Sequence, residues 1–186
     1  MPAPLLSRDA VVDRLLGAFR RHGYDAASLG QLSEATGLGR SSLYHYFPGG
    51  KEDMARAVFD RVDAWMQDEV LAPMQGGGTP ERRLAKVIAK LDHFYGGGAE
   101  ACLFGNLVVG DARTLFQDRL NASLRGLIDG FARLAREKDG VSAREAQRRA
   151  EDAVVRIQGS LIVSRAIAES EPFRRVLNTL PQQLLG

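Results

Sequence analysis

The sequence predicts an all-α protein of about nine helices: an N-terminal three-helix head and a larger helical C-terminal part. Three observations carry this prediction. Apolar residues recur at three- and four-residue steps almost throughout the 186 residues, and no run alternates with a period of two. Breaks rich in glycine or proline separate the periodic stretches at Gly23, Gly37-Leu38-Gly39, Pro48-Gly49-Gly50, 72–79 and Gly96-Gly97-Gly98.

The first helix is expected from the Ser7 cap to about His22, with Val11, Leu15, Ala18 and Phe19 on one face and Gly23 as its stop. Short helices over Leu29–Thr36 and Arg40–Tyr46 follow, joined by Gly37-Leu38-Gly39. A long helix is expected from Lys51 to about Leu71, with Met54, Val58, Val62 and Trp65/Met66 inward, and then a loop over 72–79. Thr79-Pro80 reads as a cap followed by proline at the first helical position, and Leu84, Val87, Ile88, Leu91 and Tyr95 pattern the helix it opens. Cys102 to Val109 is a short apolar segment. Helices are expected from Arg113 to about Lys138, from the Ser142 cap to about Ala168, and from about Pro172 to Leu185, the last interrupted at Pro181. The natural boundary lies near residue 50 and separates residues 1–50 from residues 51–186.

Composition sets the class. Hydrophobic residues make up 45% and charged residues 26%, the balance of a globular chain with a buried core. The net charge of +2 neither demands nor excludes nucleic acid, because phosphate binding depends on local clustering. The single cysteine, Cys102, has no internal disulfide partner. No leader pattern opens the chain, and no uncharged stretch approaches the roughly 20 residues that span a bilayer. A soluble cytoplasmic protein, with no membrane partner, is expected.

The informative stretch runs from Ser28 to Phe47. Two short helices joined by a three-residue turn, with Gly37 free to take a positive φ, form an arrangement that projects the second helix into a DNA major groove. Leu32, Ala35, Leu38, Leu43 and Phe47 supply the shared core. The outward side of the second helix then carries Arg40, Ser41, Ser42, Tyr44 and His45, rich in donors and free of carboxylates. Residues 1–51 hold six basic side chains (Arg8, Arg14, Arg20, Arg21, Arg40, Lys51) against four acidic ones (Asp9, Asp13, Asp25, Glu34), an excess of two that dimerisation would double.

This stretch closely resembles the signature of the tetracycline-repressor (TetR) family of transcriptional regulators. The match consists of Ser28 opening the second helix, Leu32 and Ala35 in its core, Gly37 in the turn, Ser42-Leu43-Tyr44-His45-Tyr46-Phe47 in the third, and Lys51-Glu52 at the start of the fourth. It covers about the first 55 residues; the remainder agrees with the family in length, helix count and loop placement. The resemblance implies base or near-base contacts by Arg40, Ser41, Ser42 and His45, and phosphate contacts by Ser28, Tyr44, Tyr46 and Lys51. Two positions depart from the family pattern. Gly30 stands where a polar or basic side chain is common, and Pro48 to Lys51 is one residue longer than the commonest spacing. The resemblance further implies a homodimer on a double-stranded DNA operator. It also implies a small-molecule effector whose binding tilts the fourth helix and releases the DNA.

For that effector, Phe59, Trp65, Met66, His93, Phe94, Cys102, Phe104, Asn106, Arg113 and Phe116 supply aromatic, sulfur and a few polar groups suited to a mainly apolar ligand. Aromatic residues at helical spacing equally well form ordinary core. Cys102 admits two readings, a packed small hydrophobe or a redox- and electrophile-sensing thiol. A DNA-binding module without any ligand is a third alternative for the whole chain. Ile157, Gly159, Ser160, Leu161 and Val163, with Phe173, Val176, Leu177 and Leu180, are the expected dimer face. No cofactor, metal or catalytic site is expected. His22, His45 and His93 lack metal-ligand spacing, no Gly-x-Ser-x-Gly turn occurs, and Gly49-Gly50-Lys51 lacks the other residues of a phosphate-binding loop.

Overall fold

The computed structural model describes residues 6–107 and 110–186. Among them it contains no strand, a 3-10 turn at Gly96–Gly98 and nine α-helical runs. These are α1 (Arg8–Ala26), α2 (Leu29–Thr36), α3 (Arg40–Tyr46), α4 (Lys51–Trp65, continued by a π-helical turn Met66–Leu71 and a last turn Ala72–Gln75), α5 (Pro80–Phe94), α6 (Leu103–Leu107), α7 (Asp111–Arg136), α8 (Ala143–Ile167) and α9 (Glu171–Leu185). They fall into two compact units, one of residues 1–64 with 103–116, the other of residues 65–102 with 117–186. No described helix is long and apolar enough to cross a membrane.

In the first unit, α1 starts where Ser7 Oγ accepts from the Ala10 amide at 3.2 Å, and it buries Val11, Val12, Leu15, Ala18 and Phe19. Gly23, at φ 72° and ψ 177°, breaks the regular helix as expected, but a further turn continues to Ala26. The short helix α6 packs against α1, and Asn106 Nδ2 donates to the Arg20 carbonyl at 2.7 Å. Phe59 of α4 stacks on Phe104 and Phe116, with ring centroids 5.4 and 5.3 Å away. The last two residues of the apolar segment expected over Cys102–Val109 lie outside the described residues.

The second unit corrects two expected breaks. The loop expected over 72–79 begins only after Gln75. Leu71 and Met74 are buried and need the helix to bring them inward, and the glycines of α7 admit them: a Cβ at Gly126 would stand 3.4 Å from Leu71 Cδ1. Pro73 lies inside this continuous run and costs it one backbone hydrogen bond, which the burial of Leu71 and Met74 offsets. At the other end, α9 runs through Pro181 without interruption. Pro181 is exposed at the edge of a face on which Leu177, Leu180, Leu184 and Leu185 are buried, and that burial outweighs one lost backbone bond.

Of the expected dimer face, Val163 stays exposed while six residues are buried inside the chain. Ile157, Ser160 and Leu161 of α8 and Phe173, Leu177 and Leu180 of α9 are buried within the chain, where these two helices pack on each other. The apolar residues that α8 leaves exposed are Val155, Ile162, Val163 and Ile167. Elsewhere in this unit, buried Arg83 donates from Nη1 to the Met74 carbonyl at 2.9 Å and pairs with Glu137.

Gly98 is fixed by geometry twice over. Its φ is +100°, and a Cβ there would lie 2.8 Å from Phe173 Cβ, which belongs to a fully buried side chain. Gly98→Ala is therefore expected to destabilise the fold by about 2–4 kcal/mol through backbone strain plus overpacking, read as a lower urea midpoint at unchanged slope. An unchanged midpoint would contradict this packing.

Candidate nucleic-acid interface

The candidate interface is built in the first unit from α2, α3 and the turn between them. α2 opens on a reciprocal cap: Ser28 Oγ accepts from the Gln31 amide at 3.3 Å, and Gln31 Oε1 accepts from the Ser28 amide at 2.8 Å. Ser28-x-x-Gln31 is the sequence signature of such a capping box, a signal that sequence reasoning about Ser28 alone passed over. The Ser28 hydroxyl also donates to Gln31 Oε1 at 3.0 Å. α2 ends on Gly37 at φ 71° and ψ 15°, the left-handed conformation that glycine adopts without steric cost.

The turn is held from several sides. The Gly37 amide donates to the Ser33 and Glu34 carbonyls at 2.9 and 3.2 Å. Ser33 Oγ donates to the Leu38 carbonyl, and Thr36 Oγ1 donates to the Leu32 carbonyl at 2.8 Å. Arg14 reaches over from α1 and donates from Nη1 to the Thr36 carbonyl at 2.6 Å. Leu32, Leu43 and Phe47 are buried as expected, whereas Ala35 and Leu38 are only half-buried. Fully buried Thr36 completes the core in their place. Its role was not legible because a threonine reads as polar until its hydroxyl turns back to its own helix.

With that face occupied, α3 presents Arg40, Ser41, Ser42, Tyr44 and His45 to solvent. Its sequence, Arg40 to Tyr46, contains no carboxylate. The side chains assigned to phosphate differ in how far the protein already uses them. Tyr46 donates its single hydroxyl proton to the Leu6 carbonyl at 2.7 Å, which ties down the chain ahead of α1. Lys51 Nζ donates to the Tyr24 and Asp25 carbonyls at 3.0 and 3.3 Å and lies 4.6 Å from the Tyr24 ring centroid. A lysine ammonium has three donors, so these two bonds leave one. An open cleft of about 550 Å³ is lined by Ser28, Tyr44, Gly50 and Lys51 together with Asp25 and Gly49. Beside it the Tyr24 phenol is pushed above its usual pKa, first by burial and then by Glu52, Asp25 and Asp111.

The residues singled out for an effector are divided between the two units, and in each some of them come together. Phe59, Phe104 and Phe116 form the buried aromatic stack of the first unit, where Asn106 is bonded to α1 and Arg113 is exposed. In the second unit half-buried Trp65 and Phe94 stack with centroids 3.7 Å apart, beside buried Met66, while His93 is exposed. Cys102 is buried and accepts a hydrogen bond from the Tyr95 hydroxyl at 3.6 Å. Among the described residues, no group of three or more His, Cys, Asp or Glu is placed to hold a metal ion.

Two short helices with a left-handed glycine turn, the second offering a donor-rich outer face, define a helix-turn-helix protein. The model of the bacterial regulatory proteins of the tetR family matches residues 12–58, the stretch that holds this site. That match covers 47 of the 186 residues, those of the N-terminal helices. The HTH-type transcriptional repressor ComR of Escherichia coli is 46% identical over 57 residues, 31% of this chain and 27% of that protein. The repressor AcnR of Corynebacterium glutamicum is 36% identical over 69 residues, 37% of this chain and 36% of its own length. The chain thus aligns with well under half of these curated relatives. The fold extends much further. The crystal structure of a regulatory protein TetR from Rhodobacter sphaeroides superposes with a TM-score of 0.78, covering 97% of this chain and 100% of that one at 19% identity. A cysteine mutant of the TetR family regulator CifR, complexed with 26-bp double-strand operator DNA, superposes with a TM-score of 0.76 at 18% identity, covering 99% and 98%.

The cap of α2 gives a direct test of how the site is held. Ser28→Ala removes the acceptor for the Gln31 amide and is expected to cost about 0.5–2 kcal/mol of stability, while Ser28→Asp retains it. Urea denaturation of the two variants separates them. Equal stability would show that the cap does not hold α2.

Proposed function

We propose that the protein is a cytoplasmic DNA-binding transcriptional regulator, with residues 1–50 as its reading head and residues 51–186 as its ligand-binding and dimerisation part. The observation that carries the reading is the exposed, carboxylate-free face of a second helix presented by a helix-turn-helix. Phosphate oxygens and base edges offer acceptors to such a face, and a carboxylate on it would repel the backbone. Arg40, Ser41, Ser42 and His45 face bases. Tyr44 and the remaining Lys51 donor face phosphate across the cleft, beside the capped N-terminus of α2 at Ser28. Tyr46 would have to exchange its bond to Leu6 for one to phosphate. No catalytic role is assigned.

One seven-residue helix touches too few base pairs for useful discrimination, so the reading includes a homodimer on two half-sites about 34–36 Å apart or a multiple of that spacing. Val155, Ile162, Val163 and Ile167, left exposed on α8, are the apolar surface for a second copy. The relatives that carry the name repressor support repression, with release by a small, mainly apolar effector bound in the C-terminal part. Burial of Cys102 and its bond to Tyr95 favour reversible effector binding over reaction at the thiol.

Selection from random duplex DNA is expected to return a two-fold symmetric site. Against it, Arg40→Ala or His45→Ala relaxes discrimination at a cost of about 1–3 kcal/mol. Lys51→Ala and Tyr44→Phe instead weaken binding to every sequence, and loss of Lys51 reduces the salt slope by about one. Wild-type behaviour of all four variants would remove the assignment of α3 to the groove.

The dimer face is tested separately. Ile162 is 67% exposed, so Ile162→Glu leaves the protomer folded but places a charge against its copy in the middle of the face. Sedimentation is expected to show monomer for the variant and dimer for the wild type at micromolar concentration. A variant that remains fully dimeric excludes this face.

A further inference from the structure

α3 begins on Gly39, which has no side chain with which to cap the helix. The direction in which α3 leaves the turn is therefore set by what holds the turn itself. Two neighbouring residues of α1 connect it to the rest of the head. Asp13 pairs with Arg61 of α4 at 3.0 Å, both side chains about half exposed. Arg14 donates from Nη1 to the Thr36 carbonyl at 2.6 Å, across 22 residues of chain.

The Thr36 carbonyl is a demanding acceptor. Thr36 is the last residue of α2, and its carbonyl is one of the four at the helix end with no partner inside the helix. The Gly37 amide satisfies those of Ser33 and Glu34, and Thr36 itself is fully buried. A guanidinium placed there completes a charge-assisted bond at the negative end of the helix dipole. The hold extends onward, because Thr36 Oγ1 bonds to the Leu32 carbonyl at 2.8 Å and accepts from the Leu38 amide at 3.4 Å. Leu38 immediately precedes Gly39. A chain of contacts thus runs from Arg14 through Thr36 and Leu38 to the first residue of α3. Gly37 also leaves room for it, since a Cβ there would stand 3.4 Å from Arg14 Nη1.

We propose that Arg14 is a positioning residue for base readout: its guanidinium holds the α2–α3 turn from α1 and so aims α3, setting sequence discrimination rather than overall affinity. The proposal rests on the reading of residues 1–50 as a DNA-reading head. Base contacts depend on donor geometry, whereas a phosphate contact tolerates displacement along the backbone. A loosened turn therefore degrades the operator complex more than the complex with arbitrary DNA. Arginine suits the task better than lysine because its planar fork fixes the direction of the bond.

The test uses the full chain, the operator selected by the wild type, and a scrambled duplex of equal length. Dissociation constants for both duplexes are measured for the wild type, Arg14→Met, Arg14→Lys and Arg21→Met, with thermal unfolding as the check on folding. Arg21 is exposed on the same helix, so its variant removes the same charge without touching the turn. Arg14→Met is expected to narrow the operator-to-scrambled ratio about tenfold and to shift the Gly37 and Leu38 amide resonances of the free protein. Arg21→Met lowers both affinities alike and leaves the ratio and those resonances unchanged. Arg14→Lys, which keeps the charge and a donor group but loses the planar fork, recovers part of the ratio and decides the matter if the methionine variant fails to fold. Equal losses on both duplexes for Arg14→Met, or an unchanged ratio, would overturn the proposal and leave Arg14 a charge on the surface. A wild type that selects no sequence would instead remove the DNA-reading assignment, and the Gly37 and Leu38 resonances would then still report whether the guanidinium holds the turn.

Discussion

A helix of seven residues does not persist by itself in water, because nucleation costs more than so few hydrogen bonds return. α3 exists because Leu43, with Phe47 just beyond its end, is withdrawn completely from solvent together with Leu32 and Thr36. That burial consumes one side of the helix, so the other must face outward, and Arg40, Ser41, Ser42, Tyr44 and His45 follow from it. The rest of the head serves the same constraint. α2 is capped at Ser28, stopped at Gly37 and packed on α1, whose own apolar face holds Val11, Leu15 and Phe19.

The head's unit is not continuous in sequence. Residues 103–116 return to it, bringing Phe104 and Phe116 against Phe59 and Asn106 against α1. The last contact falls beside the break in α1: Gly23 departs from helical geometry at φ 72° and ψ 177°, and the Asn106 side-chain amide donates to the Arg20 carbonyl three residues before it. A segment from beyond residue 100 is thereby part of the core on which α1 rests, and displacing it has a direct consequence for α1.

In the second unit, proline and glycine act as packing devices more than as breaks. Pro73 offers no amide to the Glu69 carbonyl, and the ladder widens just before it, with the Ala72 amide donating to the Gln67 carbonyl five residues back. The wider turn keeps the run helical long enough to bury Leu71 and Met74. Glycine in α7 and Gly98 near Phe173 remove side chains where neighbours come closest. Arg83 then holds the end of that run, at Met74, and Glu137 after α7.

What the sequence determined by itself was everything that depends on neighbours within a few positions. Apolar spacing gave the helices, Ser7, Ser28, Thr79 and Ser142 their starts, and Gly37 the turn, because caps, turns and amphipathic faces are local physics. The outward residues of α3 were legible for the same reason. Tertiary structure decided what depends on distant partners. The bond from Arg14 to Thr36 joins positions with no pattern in common. In α8, Ile157 and Leu161 lie beside Ile162 and Val163, so apolar residues cover too much of the circumference for spacing to choose a face. Packing against α9 chose it, burying the first pair and exposing the second. At Pro73 and Pro181 local rules foretold breaks, and burial of the leucines and methionine beside them overrode one missing hydrogen bond in each helix.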